Sequence, residues 1–360
     1  MMSLVRTLFV SGFFVSSLLA GPIYNVVLLP IPAGWGDNHP TGINNSGQMI
    51  GNGANPSLGC GAQCQGFIAT ASTFNVIELP QGYTGNRTTD INNLGQVVGF
   101  AAGQGNGSGF IATVNSTTII PLNSPNFFSS PAYGVNDSGA IVGDVFDGSF
   151  QAYLGNASGF SEITHSPPWT DPLFSEDINN AGQILGYGWN NSSYQVFLDD
   201  NTGFHLVPLP NGTRLETSRR LKENDFGDVV GLATDTTTFL TYTFLHTQSG
   251  TIIIGPGGGN DTVGPSINNL DQVVDGSQIW DSVNGLRDLN NLVGGGWQID
   301  ETGGINDNGQ IAATAANPSL GLFDVPVILD PVPEPSTSLL VFPGVLGLIG
   351  WRVLKTKLST

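Results

Sequence analysis

The chain has 360 residues, 50 of them Gly and 22 Pro, and only 11% carry a charge. Helix formers are scarce, and apolar stretches at helical period are absent outside the two ends, so turn-dense all-β structure is favoured. Between Pro22 and Asp330, 27 acidic residues face six basic ones; no basic face is left for phosphates, which excludes nucleic-acid binding. A solvated acidic surface is the simplest reading of that excess, with calcium or a cationic partner as the sharper one.

Residues 1–20 carry one base, Arg6, and then an apolar run through Leu8, Phe13, Phe14, Leu18 and Leu19. They read as a secretory signal peptide with Ala20 as the natural last residue, to be removed by signal peptidase. A strand is predicted at Tyr24 to Pro30. It is followed by a short phrase, Ile43-Asn44-Asn45-Ser46-Gly47-Gln48-Met49-Ile50-Gly51, which recurs from Ile91, Val135, Ile178, Glu223, Ile267 and Ile305. The second position is Asn in all seven copies and the third is always Asn or Asp. Two residues on stands Gly, replaced by Asp271 in the sixth copy. Asn/Asp-x-Gly between β-prone runs is the signature of a three-residue hairpin loop whose Gly sits in the left-handed region. The Asn before it can fix the register by bonding nearby amides. The Gly that closes five of the copies suits a strand interior closely approached by another backbone.

Further strands recur between the phrases, as in Gly66-Phe67-Ile68-Ala69-Thr70 and Gly109-Phe110-Ile111-Ala112-Thr113, and then Pro-ended runs such as Asn75 to Pro80 and His205 to Leu209. Four short strands per period of about 40 to 45 residues is the blade of a β-propeller. The seventh unit lacks a fourth strand, and Tyr24 to Pro30 is spare. The expectation is therefore a seven-bladed β-propeller over residues 22–330, closed by its N-terminal strand, with an open β-solenoid as the competing architecture.

The chemistry-bearing residues are few. Cys60 and Cys64 lie in a Gly-rich loop and would close a small disulfide in an oxidising compartment; metal binding would need two more ligands, which no nearby His supplies. Arg214, Arg219, Arg220 and Lys222 gather before the fifth phrase. They form a candidate anionic-ligand patch, set against internal pairing with Glu216, Glu223 and Asp225. His39, His165, His205 and His246 fall in different units and read as turn or surface residues, and Asp144-Val145-Phe146-Asp147-Gly148 and Asp199-Asp200-Asn201 read as turns. No nucleophile elbow, zinc-protease helix, phosphate loop or dinucleotide fingerprint occurs. No catalytic residue, cofactor or metal site is predicted.

After Pro331, the run Val332-Pro333-Glu334-Pro335-Ser336-Thr337 leads into an apolar stretch from Ser338 to Trp351 and then into Arg352, Lys355 and Lys357. Residues 331–360 resemble the PEP-CTERM sorting signal of Gram-negative bacteria, and the phrase with its G-F-I-A-T-type strands resembles the HAF repeats of bacterial extracellular proteins. The first resemblance implies that an exosortase recognises Pro333, Glu334 and Pro335. It also implies that the apolar segment is a single transmembrane helix holding the precursor in the inner membrane, its basic end cytoplasmic. Together they imply an exported protein of the outer surface or extracellular matrix. It would act as a non-enzymatic binding or structural module associated with exopolysaccharide, with a glycan lyase or hydrolase sited in the propeller channel as the alternative.

Overall fold

The computed structural model describes residues 23–55, 65–103, 107–121, 129–146, 148–164, 169–190, 192–200, 202–217, 221–257 and 263–332. They form an all-β propeller. Helical residues among them are confined to two 3-10 turns, Leu289–Asn291 and Pro318–Leu320. The signal peptide, Cys60, Cys64, His165, Asp147, Asn201, Arg219, Arg220 and the sorting segment with Pro333, Glu334 and Pro335 lie outside the described residues.

Five repeats stand as separate antiparallel sheets of four or five strands. The second and third repeats share one nine-stranded sheet instead. Ser129–Ser130 pairs parallel with Gly107–Thr113 of the second repeat and antiparallel with Ile141–Phe146 of the third. The expectation of seven separate four-stranded blades is corrected accordingly: five stand alone. The cause is local. Pro131, which has no amide to donate, splits the first strand of the third repeat into Ser129–Ser130 and Ala132–Val135, and the leading half adheres to its neighbour.

The first and last strands among the described residues close the ring. Tyr24–Leu28 pairs antiparallel with Leu322–Pro331, Tyr24 opposite Pro331 and Leu28 opposite Val327, and becomes the outer strand of the last repeat's sheet. The spare N-terminal strand thus fills the vacancy. An unpaired row of amides and carbonyls at that edge would otherwise be open to other chains.

The phrase's closing glycines show how the sheets are packed. Gly51, Gly99, Gly143, Gly186 and Gly231 stand opposite Phe67, Phe110, Tyr153, Phe197 and Phe244 on the neighbouring strand. All five aromatics are fully buried. A Cβ at Gly99 would lie 2.0 Å from the Arg87 carbonyl oxygen, and one at Gly186 2.2 Å from that of Phe174. Glycine therefore makes room for a ring on one side and for the innermost strand's backbone on the other. The apolar cores lie between adjacent sheets, as where Ile50, Ile68 and Ile77 meet Ile91, Val97 and Phe110.

Candidate functional site: the hairpin end of the ring

The seven phrases fold as the sequence predicts and then do something that one copy alone cannot. In each copy with Gly at the fifth position that residue has positive φ, between 72° and 81°, and Asp271 adopts 55° in the sixth. The Asn at the second position braces its own turn: Asn92 Oδ1 accepts from the amides of Leu94 (3.1 Å) and Gln96 (2.9 Å). Its Nδ2 reaches the next repeat. Asn44 donates to the Asn92 carbonyl, Asn92 to Asn136, Asn136 to Asn179, Asn179 to Asn224, Asn224 to Asn268, Asn268 to Asn306, and Asn306 back to Asn44. These bonds close a ring of seven.

A second ring lies beside the first, nearer solvent. The backbone amide of each third-position residue donates to the side-chain oxygen of the next one, through Asn45, Asn93, Asp137, Asn180, Asp225, Asn269 and Asp307, and back to Asn45. Its three carboxylates alternate with carboxamides. Asp225 Oδ2 accepts from Asn180 (3.3 Å) and Asn269 (2.9 Å), and Asp307 Oδ2 accepts from Asn45 (2.8 Å) and Asn269 (3.0 Å). No two acids are adjacent, so each shares its charge with neutral donors rather than with a second carboxylate.

Inside these rings is a cavity of about 540 Å3, lined by all seven repeats. The residue just before the phrase lines it in six repeats: Gly42, Asp90, Asp177, Lys222, Ser266 and Gly304. Lys222 Nζ lies 3.2 Å from Asp177 Oδ1 and 3.4 Å from Asp90 Oδ1. Asp90 belongs to the second repeat and Lys222 to the fifth, so this ion pair crosses the cavity. Each carboxylate is also held by the following repeat, Asp90 Oδ2 by the Val135 amide (2.9 Å) and Asp177 Oδ2 by the Glu223 amide (3.2 Å). Burial pushes the Asp90 carboxyl up to about 6, with Lys222 pulling it down and Asp177 pushing further up. Burial alone would lower the Lys222 ammonium, but the charges of Asp177 and Asp90 outweigh it and hold the proton on.

Glu223 occupies the phrase's first position, where the other six copies have Ile or Val, and it is 8% exposed. Its Oε2 accepts from Asn179 Nδ2 at 3.1 Å, while Oε1 has no partner. Burial, then the charge of Asp177, pushes this carboxyl well above the usual carboxylate range.

Several expectations are corrected here. Lys222 is not part of a cationic surface patch, because it points into the cavity and is neutralised by two aspartates; nor are its partners the expected Glu216, Glu223 or Asp225. Arg214 is exposed and pairs across the strand with Thr234, whereas Lys222 pairs with Val230. Four residues of one strand, about 13 Å, separate those registers. His39 is not a turn residue: Nδ1 lies 3.2 Å from Glu301 Oε2 within the ring. Asp144 is fully buried rather than at a turn, its Oδ1 accepting from the Ser175 amide of the next repeat (3.0 Å). Asp200 does brace a turn, accepting from Thr202 and facing His205, and His246 sits on a strand against Thr251. The channel wall also brings Asp90, Glu176, Asp177 and Glu223 together. The signal for three of these lay in the repeat itself, as a charge where the other copies hold Gly, Ser or an aliphatic.

No family model and no curated protein matches the chain. Among solved structures, a YCF48 bound to D1 peptide is similar over 88% of this chain and 99% of its own, at 9% identity and a TM-score of 0.50. The β-propeller domain of Myceliophteria thermophila Cps50 (Swd1) matches 86% of this chain and 100% of its own, at 12% identity and a TM-score of 0.47. A putative TolB from Agrobacterium tumefaciens matches 64% and 85%, at 12% identity and a TM-score of 0.46. At these identities the likeness is one of fold. Among the described residues, no helix is long and apolar enough to cross a membrane.

Proposed function

We propose that this is an exported protein, sorted by an exosortase through Pro333, Glu334 and Pro335. In this reading its propeller serves at the outer surface or in the extracellular matrix as a non-enzymatic binding or structural module associated with exopolysaccharide. Counted by its hairpins the ring is sevenfold, with the nine-stranded sheet read as two fused blades. The observation that carries the reading is the pair of closed rings. The polar groups that the sequence repeats most faithfully are spent on joining repeat to repeat, which makes a rigid platform, and the variable positions are left to choose a ligand. The test is mass spectrometry of the mature C-terminus together with a screen of the protein against matrix polysaccharide from its host. Release without about the last 25 residues, and binding without turnover, are expected. An intact Thr360 on surface-located protein would sink the sorting reading, and product release would sink the non-enzymatic one.

The second reading, a glycan lyase or hydrolase, is favoured by the convergence of Asp90, Asp177 and Glu223 in the cavity, with Asp90 at about 6. Against it, Asp90 and Asp177 are both tied to Lys222 and to backbone amides, an arrangement that fixes charge rather than moving protons.

A further inference from the structure

We infer that the hairpin mouth of the ring is a docking site for a partner peptide that presents a lysine or arginine side chain between apolar residues. This goes beyond the reading above and holds whether or not the chain is sorted as proposed there. Three features of the mouth meet at one end of the molecule. The rim carries the carboxylates of Asp137, Asp225 and Asp307, whose side-chain partners are asparagine amides, so their charge is shared but not cancelled. Within the rim, Glu223 is buried with one carboxylate oxygen unpartnered. A buried carboxyl group with one oxygen unpartnered is costly, and a hydrogen-bond donor entering the mouth relieves it. Lys222, seated between Asp90 and Asp177 in the same cavity, shows that this lining accepts an ammonium group.

The third feature is apolar. The hairpin tips carry Leu94, Phe226 and Leu270, which are 69%, 65% and 63% exposed, and Phe226 and Leu270 belong to adjacent repeats. The other copies place Ser46, Ser138, Ala181 and Asn308 there. Large apolar side chains this exposed beside a concave charged site mark a contact surface. A cavity of about 540 Å3 admits an extended basic side chain. A metal ion is the poorer fit, since among the described residues no three His, Cys, Asp or Glu side chains are placed to hold one. An amino-sugar glycan would offer cations and a face for the Phe226 ring, but it would gain little from the other two tips, Leu94 and Leu270, which present no flat ring for a sugar to stack on.

The experiment is fluorescence anisotropy with the full-length protein in detergent, using a labelled nonapeptide of alternating Leu and Lys. Peptides with Glu or Ser for Lys serve as controls, and a glucosamine tetramer as competitor. Wild-type protein should bind only the Leu-Lys peptide, more weakly as salt rises. Glu223→Ile restores the aliphatic of the other copies, so it should weaken binding about tenfold while raising the melting temperature, which separates lost recognition from lost folding. Phe226→Ser should weaken binding about fivefold, and Arg214→Ala should leave it unchanged. The inference is overturned by a wild type that does not bind the Leu-Lys peptide. It is equally overturned by unchanged affinity in both Glu223→Ile and Phe226→Ser, or by displacement of the peptide by the glucosamine tetramer, which would assign the mouth to a cationic glycan. None of these outcomes alters the mature C-terminus, so the sorting reading stands or falls separately.

Discussion

Asn92 is the sharpest place to test whether the inner ring holds the propeller together. Its side chain is 4% exposed and makes four hydrogen bonds: Nδ2 to the Asn136 carbonyl and to Gln96 Oε1, both 2.8 Å, and Oδ1 from the amides of Leu94 and Gln96. Leucine is nearly isosteric but makes none of them. The Gln96 amide then stays buried without its partner, at about 1 to 3 kcal/mol, and the Asn136 carbonyl keeps only the Gly139 amide of its own turn, a loss of about 1 kcal/mol, while the Leu94 amide and the Gln96 side chain recover water at little cost. The expected loss is about 3 kcal/mol, which in a domain of this size is a fall of roughly 6 °C or more in melting temperature. Asn92→Asp discriminates further. It keeps the acceptor oxygen but sets a carboxylate against two acceptors, so it should cost a similar amount at pH 7. That cost should shrink as acid protonates the group and restores a donor. Urea titrations at pH 7 and pH 4.5 measure both variants beside Asn93→Leu, whose bonds lie in the more exposed outer ring and should be worth about 1 kcal/mol. A loss below 1 kcal/mol for Asn92→Leu, or one equal to that of Asn93→Leu, would refute the idea that the inner ring carries the closure.

Removing Tyr24 to Leu28 should strip the outer strand from the last sheet and produce concentration-dependent aggregation in light scattering; a monomer with an unchanged melting temperature would contradict the pairing with Leu322–Pro331. Gly95→Val forces a β-branched residue to a φ of 75° and should cost roughly 1 to 3 kcal/mol. Asp271→Val should cost less, because that turn already bears a Cβ at 55°, and equal losses in thermal melts would count against backbone strain as the cause. The native Asp90 carboxyl, raised from 3.8 to about 6, holds its proton more tightly than the unfolded chain does. Its contribution to stability therefore falls as pH rises from about 4 to about 6, by up to about 3 kcal/mol. The stability gap between wild type and Asp90→Asn should narrow in that direction, and a gap that is flat across pH 4 to 7 would show Asp90 to be unshifted. Lys222→Met should cost about 3 to 5 kcal/mol in urea titrations at pH 7, since it strands two buried aspartates, and a loss under 1 kcal/mol would mean that the cross-cavity pair is not formed.

The fold was legible because each repeat writes out its own turn. Asn92, Gly95 and Gly99 each have one physical job, a brace, a positive φ and a close approach, and seven near-copies of such a set leave little besides radial stacking. The vacancy in the last repeat was legible by subtraction, since the strand at Tyr24 had no other sheet to join. What the sequence concealed was the fused sheet. It depends on two residues, Ser129 and Ser130, finding the neighbouring strand Gly107–Thr113 in parallel, and no local pattern announces a pairing across Pro131.

The site was less legible because chain proximity misled where strand register decides. Arg214 and Lys222 look like one basic cluster, yet their strand spaces them along the channel, while Lys222 meets Asp90 from 132 positions away because both precede a phrase and so share one level of the ring. Comparing equivalent positions instead of neighbouring ones would have paired them: Asp90, Asp177 and Lys222 are the charged members of a column otherwise filled by Gly and Ser. The same comparison separates scaffold from recognition. A position that must close the ring can vary little, as the seven asparagines show, whereas a position that only faces the opening is free to differ from repeat to repeat. Glu223, Phe226 and Leu270 differ from most of their counterparts at the mouth itself, where a buried carboxyl oxygen without a partner and exposed apolar tips lower stability and where a ligand returns it.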